Sequence, residues 1–176
     1  MKRNLLLWIL TISLLLGVLP TGAVATAPEP GQVSLSSQRL TIDGVTRDAQ
    51  KYNIDGFNYF KLRDIAYLLS GTKSQFEVVW DETVFTVSII TGQPYTPVGG
   101  ELATDKDNSA MAVPSGQTIL VNGTLRDDLH IYNIGDENYF RLLELGSALN
   151  FDVDFDEAAN TALALFFSRW QRLPLL

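Results

Sequence analysis

The sequence predicts an α+β protein made of two β-β-β-α-β-β repeats, each an antiparallel sheet packed on one helix. Three observations predict it. Residues 52–69 (YNIDGFNYFKLRDIAYLL) return as residues 132–149 (YNIGDENYFRLLELGSAL), and a gapless alignment leaves 8 of 18 positions identical. A match of that density marks a tandem repeat. Short runs of alternating apolar and polar residues, divided by Asp-Gly and Asn-Gly, mark strands and hairpin turns. One run in each repeat changes to helical spacing.

The chain begins with a secretory signal. Lys2 and Arg3 are its charged start, residues 5–19 its apolar run, and Ala23-Val24-Ala25 its cleavage site, giving a signal peptide over 1–25. The alternative is a retained N-terminal anchor, for which the run is short against the roughly 20 residues of a spanning helix. A lipid-modified anchor would need a Cys, and there is none. The divisions that follow are a first repeat over 26–92, a linker over 93–115, a second repeat over 116–167 and a tail over 168–176.

In the first repeat, residues 33–42 alternate with Leu40 and Ile42 on one face, and Asp43-Gly44 supplies the turn. A strand over 45–54, the turn Asp55-Gly56 and a short strand over 57–60 follow. Leu62, Ile65, Ala66 and Leu69 then form one apolar stripe at i, i+3, i+4 and i+7. Asp64 lies in the first helical turn, where it suits the helix dipole. Gly71 is a stop signal for this helix. Strands over 76–80 and 83–90 close the unit, after an insertion at 71–75 that the second repeat lacks. In the second repeat the corresponding signals are Ile119 and Val121, Asn122-Gly123, Gly135-Asp136, the stripe Leu142, Leu145, Gly146 and Leu149, the acid Glu144, the stop Asn150, and strands over 151–155 and 161–167. The linker is rich in Pro, Gly and polar residues. Its apolar Tyr95, Val98 and Leu102 predict partial docking on the first repeat. The tail, with Trp170, three leucines, Arg169 and Arg172, reads as packing over an edge of the second repeat, or as a partner contact.

The formal net charge is −7, and −9 once the signal with its two cations is removed. That argues against nucleic acid, whose affinity rests on Lys and Arg at phosphates, and against anionic lipid. It suits cationic partners, divalent ions or neutral glycans. With no Cys, an exported fold holds by its core alone. Units of this size are marginal by themselves, so the two are expected to pack together or against the linker.

The repeat resembles the copper amine oxidase N-terminal-like domain, also called the stalk domain, of exported proteins of Gram-positive anaerobes. The resemblance rests on the Asp43-Gly44 and Asn122-Gly123 turns, on Tyr52, Asn53, Asn58, Tyr59, Phe60, Leu62, Arg63 and Asp64, and on Tyr132, Asn133, Asn138, Tyr139, Phe140 and Leu142. It extends to the F-x-V-x-W/F-D endings at 76–81 and 151–156 and to the TGQPY segment at 91–95. It implies a five-stranded antiparallel sheet on a helix, a cell-surface location and an accessory role. The second repeat departs from the pattern at Leu143 and Gly146, against Arg63 and Ala66 in the first. That speaks against an Arg-based site common to both, and the motif residues read as structural.

Copper amine oxidation is not expected: it needs three His and an Asn-Tyr-Asp/Glu sequence, whereas His130 is alone and Asn58-Tyr59 and Asn138-Tyr139 run into Phe60 and Phe140. His130 reads as a surface residue near acids. Asp152, Asp154 and Asp156 begin like a calcium loop, but loop positions 6 and 12 are Glu157 and Leu163 in place of Gly and Glu. The interleaved Phe151, Val153 and Phe155 make a half-buried strand with carboxylates in water the preferred reading. Tyr52, Tyr59, Phe60, Trp80, Tyr132, Tyr139, Phe140 and Phe155 read as core, with a sugar-stacking platform as the alternative. On each strand only one of Tyr59/Phe60 and one of Tyr139/Phe140 is expected to face inward, the outward one being the better ligand candidate. Asn122-Gly123-Thr124 is a glycosylation sequon that its turn already explains. No Ser-His-Asp set, Cys nucleophile or phosphate-binding glycine loop is present. The function expected is therefore a non-catalytic secreted or cell-envelope module, a spacer or a binding domain for cell-wall polymer or a surface protein. It would have no cofactor and no membrane contact after signal cleavage. A divalent-ion-dependent binding module on Asp152, Asp154 and Asp156 is the alternative, and a secreted hydrolase or oxidase the remote third.

Overall fold

The computed structural model describes residues 32–104 and 106–165. The expected signal peptide, the tail and the last two residues of the expected final strand lie outside the described residues. The elements in order are β1 (Val33–Leu35), β2 (Arg39–Ile42), β3 (Val45–Arg47), β4 (Lys51–Ile54), β5 (Phe57–Lys61), α1 (Leu62–Leu69), β6 (Phe76–Asp81), β7 (Thr86–Thr91), β8 (Val113–Pro114), β9 (Thr118–Val121), β10 (Thr124–Leu125), β11 (Ile131–Ile134), β12 (Glu137–Arg141), α2 (Leu142–Leu149), β13 (Asp152–Asp156) and β14 (Thr161–Leu165). Strand dominates and the class is α+β.

Local sequence accounts for the elements. Asp43-Gly44, Asp55-Gly56, Asn122-Gly123 and Gly135-Asp136 all have positive φ at both residues and join adjacent strands as two-residue loops. That is the hairpin turn whose twist matches the strands. Leu40 and Ile42 bury one face of β2, and Ile119 and Val121 do so for β9. Both helical stripes are buried as spaced. Asn150 closes α2 in the left-handed conformation, with Phe151 N–H donating to the Gly146 carbonyl. In α1, Ser70 follows the last helical residue with φ −58°, and Gly71 takes positive φ one residue later. Gly146 is a packing requirement. A Cβ there would lie 2.7 Å from a Val153 methyl and 2.8 Å from the Phe151 carbonyl oxygen. Without the insertion that follows α1, the chain turns straight from α2 into β13 and crosses close over it.

The sheets correct the expected architecture. Neither repeat wraps its own antiparallel sheet. The expected strand over 45–54 is broken at residues 48–50, so β3 and β4 enter different sheets. A six-stranded antiparallel sheet in the order β1-β4-β5-β12-β11-β8 spans both repeats. At its centre β5 and β12 pair with Phe60 opposite Phe140, Tyr59 opposite Arg141 and Lys61 opposite Tyr139, a register symmetric under exchange of the repeats. The two smaller sheets, β10-β9-β7-β6 and β13-β14-β2-β3, each join the first hairpin of one repeat to the last hairpin of the other. Their central pairs are parallel: β7 on β9 with Thr86 opposite Thr118, and β14 on β2 with Thr161 opposite Arg39. Hairpins this short are not stable alone. Exchange gives each a partner edge and puts both helices against one core.

That core is continuous and contains Leu40, Phe60, Ile65, Phe76, Ile89, Ile119, Phe140, Leu145 and Ala164. A smaller cluster on the opposite face of the large sheet holds Tyr52, Ile54, Tyr59, Ala112, Ile134 and Tyr139. Phe60 and Tyr59 are therefore both buried, on opposite faces, and so are Phe140 and Tyr139. The expectation of one outward ring in each pair fails because residues 106–112 of the linker and β1 cover the second face. The linker docks as expected through Tyr95, which is buried, and Leu102, which is half-buried, whereas Val98 is exposed. Its end also forms β8.

Candidate functional site

The helix starts place the motif residues. Asp64 accepts N–H bonds from Gln50 (2.8 Å) and Leu102 (2.9 Å), tying α1 to the chain entering β4 and to the linker. Burial pushes its pKa up, opposed by those two bonds and by the Lys61 charge. Lys61 reaches Glu137 of the other repeat at 3.0 Å and donates to the Gly100 carbonyl at 3.0 Å. The second repeat copies the scheme with altered chemistry. Glu144 accepts from His130 N–H at 2.8 Å, lies 2.8 Å from His130 Nδ1, and pairs with Arg141 at 3.1 Å. Where Lys61 meets Glu137, Arg141 stacks its guanidinium 3.8 Å from the centre of the Phe57 ring, a cation–π contact. Arg141 also donates to the Tyr59 hydroxyl at 2.9 Å. The acid beside His130 is Glu144, whereas the nearer-in-sequence Asp128 pairs with Arg126.

The other motif residues fix turns and the second cluster. Asn53 accepts from Gly56 N–H and donates to Asn58, which also accepts from Ser36. Tyr52 meets Tyr139, and Tyr59 meets Tyr132, in edge-to-face pairs at 5.2 Å. Burial raises the Tyr139 and Tyr59 pKa values. Leu62 and Leu142 are core. Asp152, Asp154 and Asp156 lie along β13, where Asp154 accepts from Phe155 N–H and Asp156 from Ala159 N–H. Among the described residues no group of three or more His, Asp or Glu is placed to hold a metal ion.

The repeat symmetry produces two matched grooves. Each is floored by the start of one helix and the last hairpin of the same repeat, and walled by a turn of the other repeat. The first, about 290 Å³, has Leu62, Val78 and Val87 as floor, with Arg63, Trp80, Gln117, Asn133, Asp136, Glu137 and Asn138 around it. The second, about 570 Å³, has Leu142, Val153 and Ala162 in the matching places. Around it Leu143 replaces Arg63, Phe155 replaces Trp80, Phe57 replaces Glu137 and Gly56 replaces Asp136, while Gln38 and Asn58 match Gln117 and Asn138. One scaffold thus carries a polar groove and an apolar one. In the polar groove Asn138 donates to Gln117 at 2.7 Å, but its buried Oδ1 has no partner, whereas the matching Asn58 Oδ1 accepts two bonds.

The core reading fails for Trp80 and Phe155, which are 39% and 47% exposed at the ends of their hairpins; Trp80 packs edge-on against Phe85 at 6.2 Å beside the polar groove. Of the residues around that groove, the sequence singled out Trp80, Arg63, Asn133 and Asn138. It missed Gln117, Asp136 and Glu137, which lie outside the motif residues that the two repeats share. Their signal was available at positions where the repeats differ in character, such as Phe57 against Glu137. No protein-family model, curated protein or solved structure matches this chain.

Proposed function

We propose that the chain is a non-catalytic, exported module of the cell envelope whose polar groove binds a short saccharide stretch of wall polymer. Phe85 beside Trp80 carries the reading. Phe85 is 67% exposed and holds φ at 51°, a left-handed conformation that costs a bulky residue about 1–2 kcal/mol. The same turn position in the second repeat is Asn160, at φ 46°, a residue type that tolerates it. An exposed ring kept at such a cost fits a contact surface better than a folding need. Two rings offer apolar faces to sugar C–H groups. The amides of Gln117, Asn133 and Asn138 line the groove and offer hydrogen bonds to hydroxyls. In this reading the chain is a duplicated stalk-like unit. The signal sequence and the resemblance supply the location and the accessory role.

The test is co-sedimentation of the chain from residue 26 onward with purified cell-wall sacculi across a salt series, with calcium and with chelator. Saturable binding is expected, weakened by Trp80→Ala by about 2 kcal/mol, roughly thirtyfold, the loss typical of a central tryptophan. Phe155→Ala should leave binding unchanged. Absence of saturable binding, or equal loss in both variants, rejects the groove. Loss with chelator would favour the calcium reading of Asp152, Asp154 and Asp156.

A further inference from the structure

The segment leaving β7 does a job that the described residues leave undone at the second helix. It turns at Gly92 and crosses the start of α1. Tyr95 sinks into the core there, and its hydroxyl accepts from Arg63 at 3.2 Å and donates to Glu101 at 2.7 Å. Burial pushes the Tyr95 hydroxyl up to about 12. At α2 the equivalent of Arg63 is Leu143, which is 67% exposed. Phe57 and Phe155, 51% and 47% exposed, border the apolar groove beside it.

The register identifies the occupant. Thr161 stands on β2 as Thr86 stands on β9, so Thr91 corresponds to residue 166 and Tyr95 to Trp170. Two substitutions thus go together. The polar pair Arg63 and Tyr95 of the first repeat becomes the apolar pair Leu143 and Trp170 of the second. Arg169 and Arg172 flank Trp170, and the groove is edged by the acids Glu144 and Asp154. We propose that residues 166–176 of the same chain strap across the start of α2 and fill the apolar groove, with Trp170 seated against Leu143. The strap makes the apolar groove an internal docking site and leaves the polar groove as the ligand face. This inference stands whether or not the polar groove binds sugar.

The chain from residue 26 onward retains every described residue, and its tryptophans are Trp80 and Trp170. In a Trp80→Phe background the emission therefore reports Trp170 alone. It should be that of a buried indole and should shift to the red with Leu143→Arg, a change at an exposed position that spares the core. Leu143→Arg and Trp170→Ala should each lower the melting temperature by about 3–6 °C, and the double variant no further than the larger single loss. Additive losses would overturn the proposal. So would a solvent-exposed Trp170 signal indifferent to Leu143→Arg, or a coupling that vanishes on dilution, which would mark a second copy's tail as the occupant.

Discussion

The polar and apolar grooves sit on one scaffold in the same chain, and their difference separates what the repeat needs for folding from what each copy has become. Floors agree in kind, Leu62 with Leu142, Val78 with Val153 and Val87 with Ala162, and one wall amide is kept, Gln117 with Gln38. Rims do not. Lys61 crosses to Glu137 as an ion pair, while Arg141 crosses to Phe57 as a cation–π contact. Both contacts hold the central strands β5 and β12 together, so the frame tolerates either chemistry. The side chains around the opening are free to diverge.

The largest effect tests whether the frames are equal. Phe60→Ala and Phe140→Ala remove facing rings at the symmetric centre, both almost wholly buried. Each should cost about 3–5 kcal/mol in urea unfolding. A clearly unequal pair of losses would break the symmetry between the halves. Next, Phe85→Asn gives the last hairpin of the first repeat the residue found in the last hairpin of the second. It should add about 1 kcal/mol of stability by relieving the left-handed strain, while weakening sacculus binding. A gain in stability with binding intact would remove Phe85 from the ligand face.

The smallest effect concerns pH. Burial raises the Asp64 pKa, so the native state keeps a proton that the unfolded chain gives up above about 4. The stability this group contributes is fully present below the unfolded pKa. It is lost as pH rises through the window up to the raised native value. Unfolding midpoints of the native sequence should therefore fall relative to those of Asp64→Asn across that window. Parallel profiles would contradict the assignment.

Much of this frame was readable from spacing. Asp43-Gly44, Asn122-Gly123 and the two helical stripes act locally, and local patterns specify them. The exchange of hairpins was not readable. β2 and β9 carry nearly the same pattern, and so do β7 and β14; a strand edge offers the same backbone bonds to either copy. Tyr59 and Tyr139 were read as core and are buried; only the expectation that one ring of each pair faces outward failed, for a related reason. Alternation tells that two neighbours face opposite ways, but not that linker residues arrive to bury the second face. Trp80 was visible as an aromatic on a strand. That Asn133, Asn138, Asp136 and Glu137 stand opposite it was not, since they reach the groove only through the pairing of β5 with β12.

The exchanged hairpins also set the order in which this protein can be finished. Strand β2 pairs with β14, and 121 residues separate Thr41 from Ala162. A chain emerging from its N-terminus must hold an incomplete edge until nearly all of it has appeared. Contacts this distant slow folding and prolong the time an open edge can mispair. With each half completing the other's sheets, the duplicated sequence is expected to unfold as a single unit. A cut in the linker would yield two halves that must find each other, and a lone repeat could complete its sheets only by borrowing hairpins from a twin.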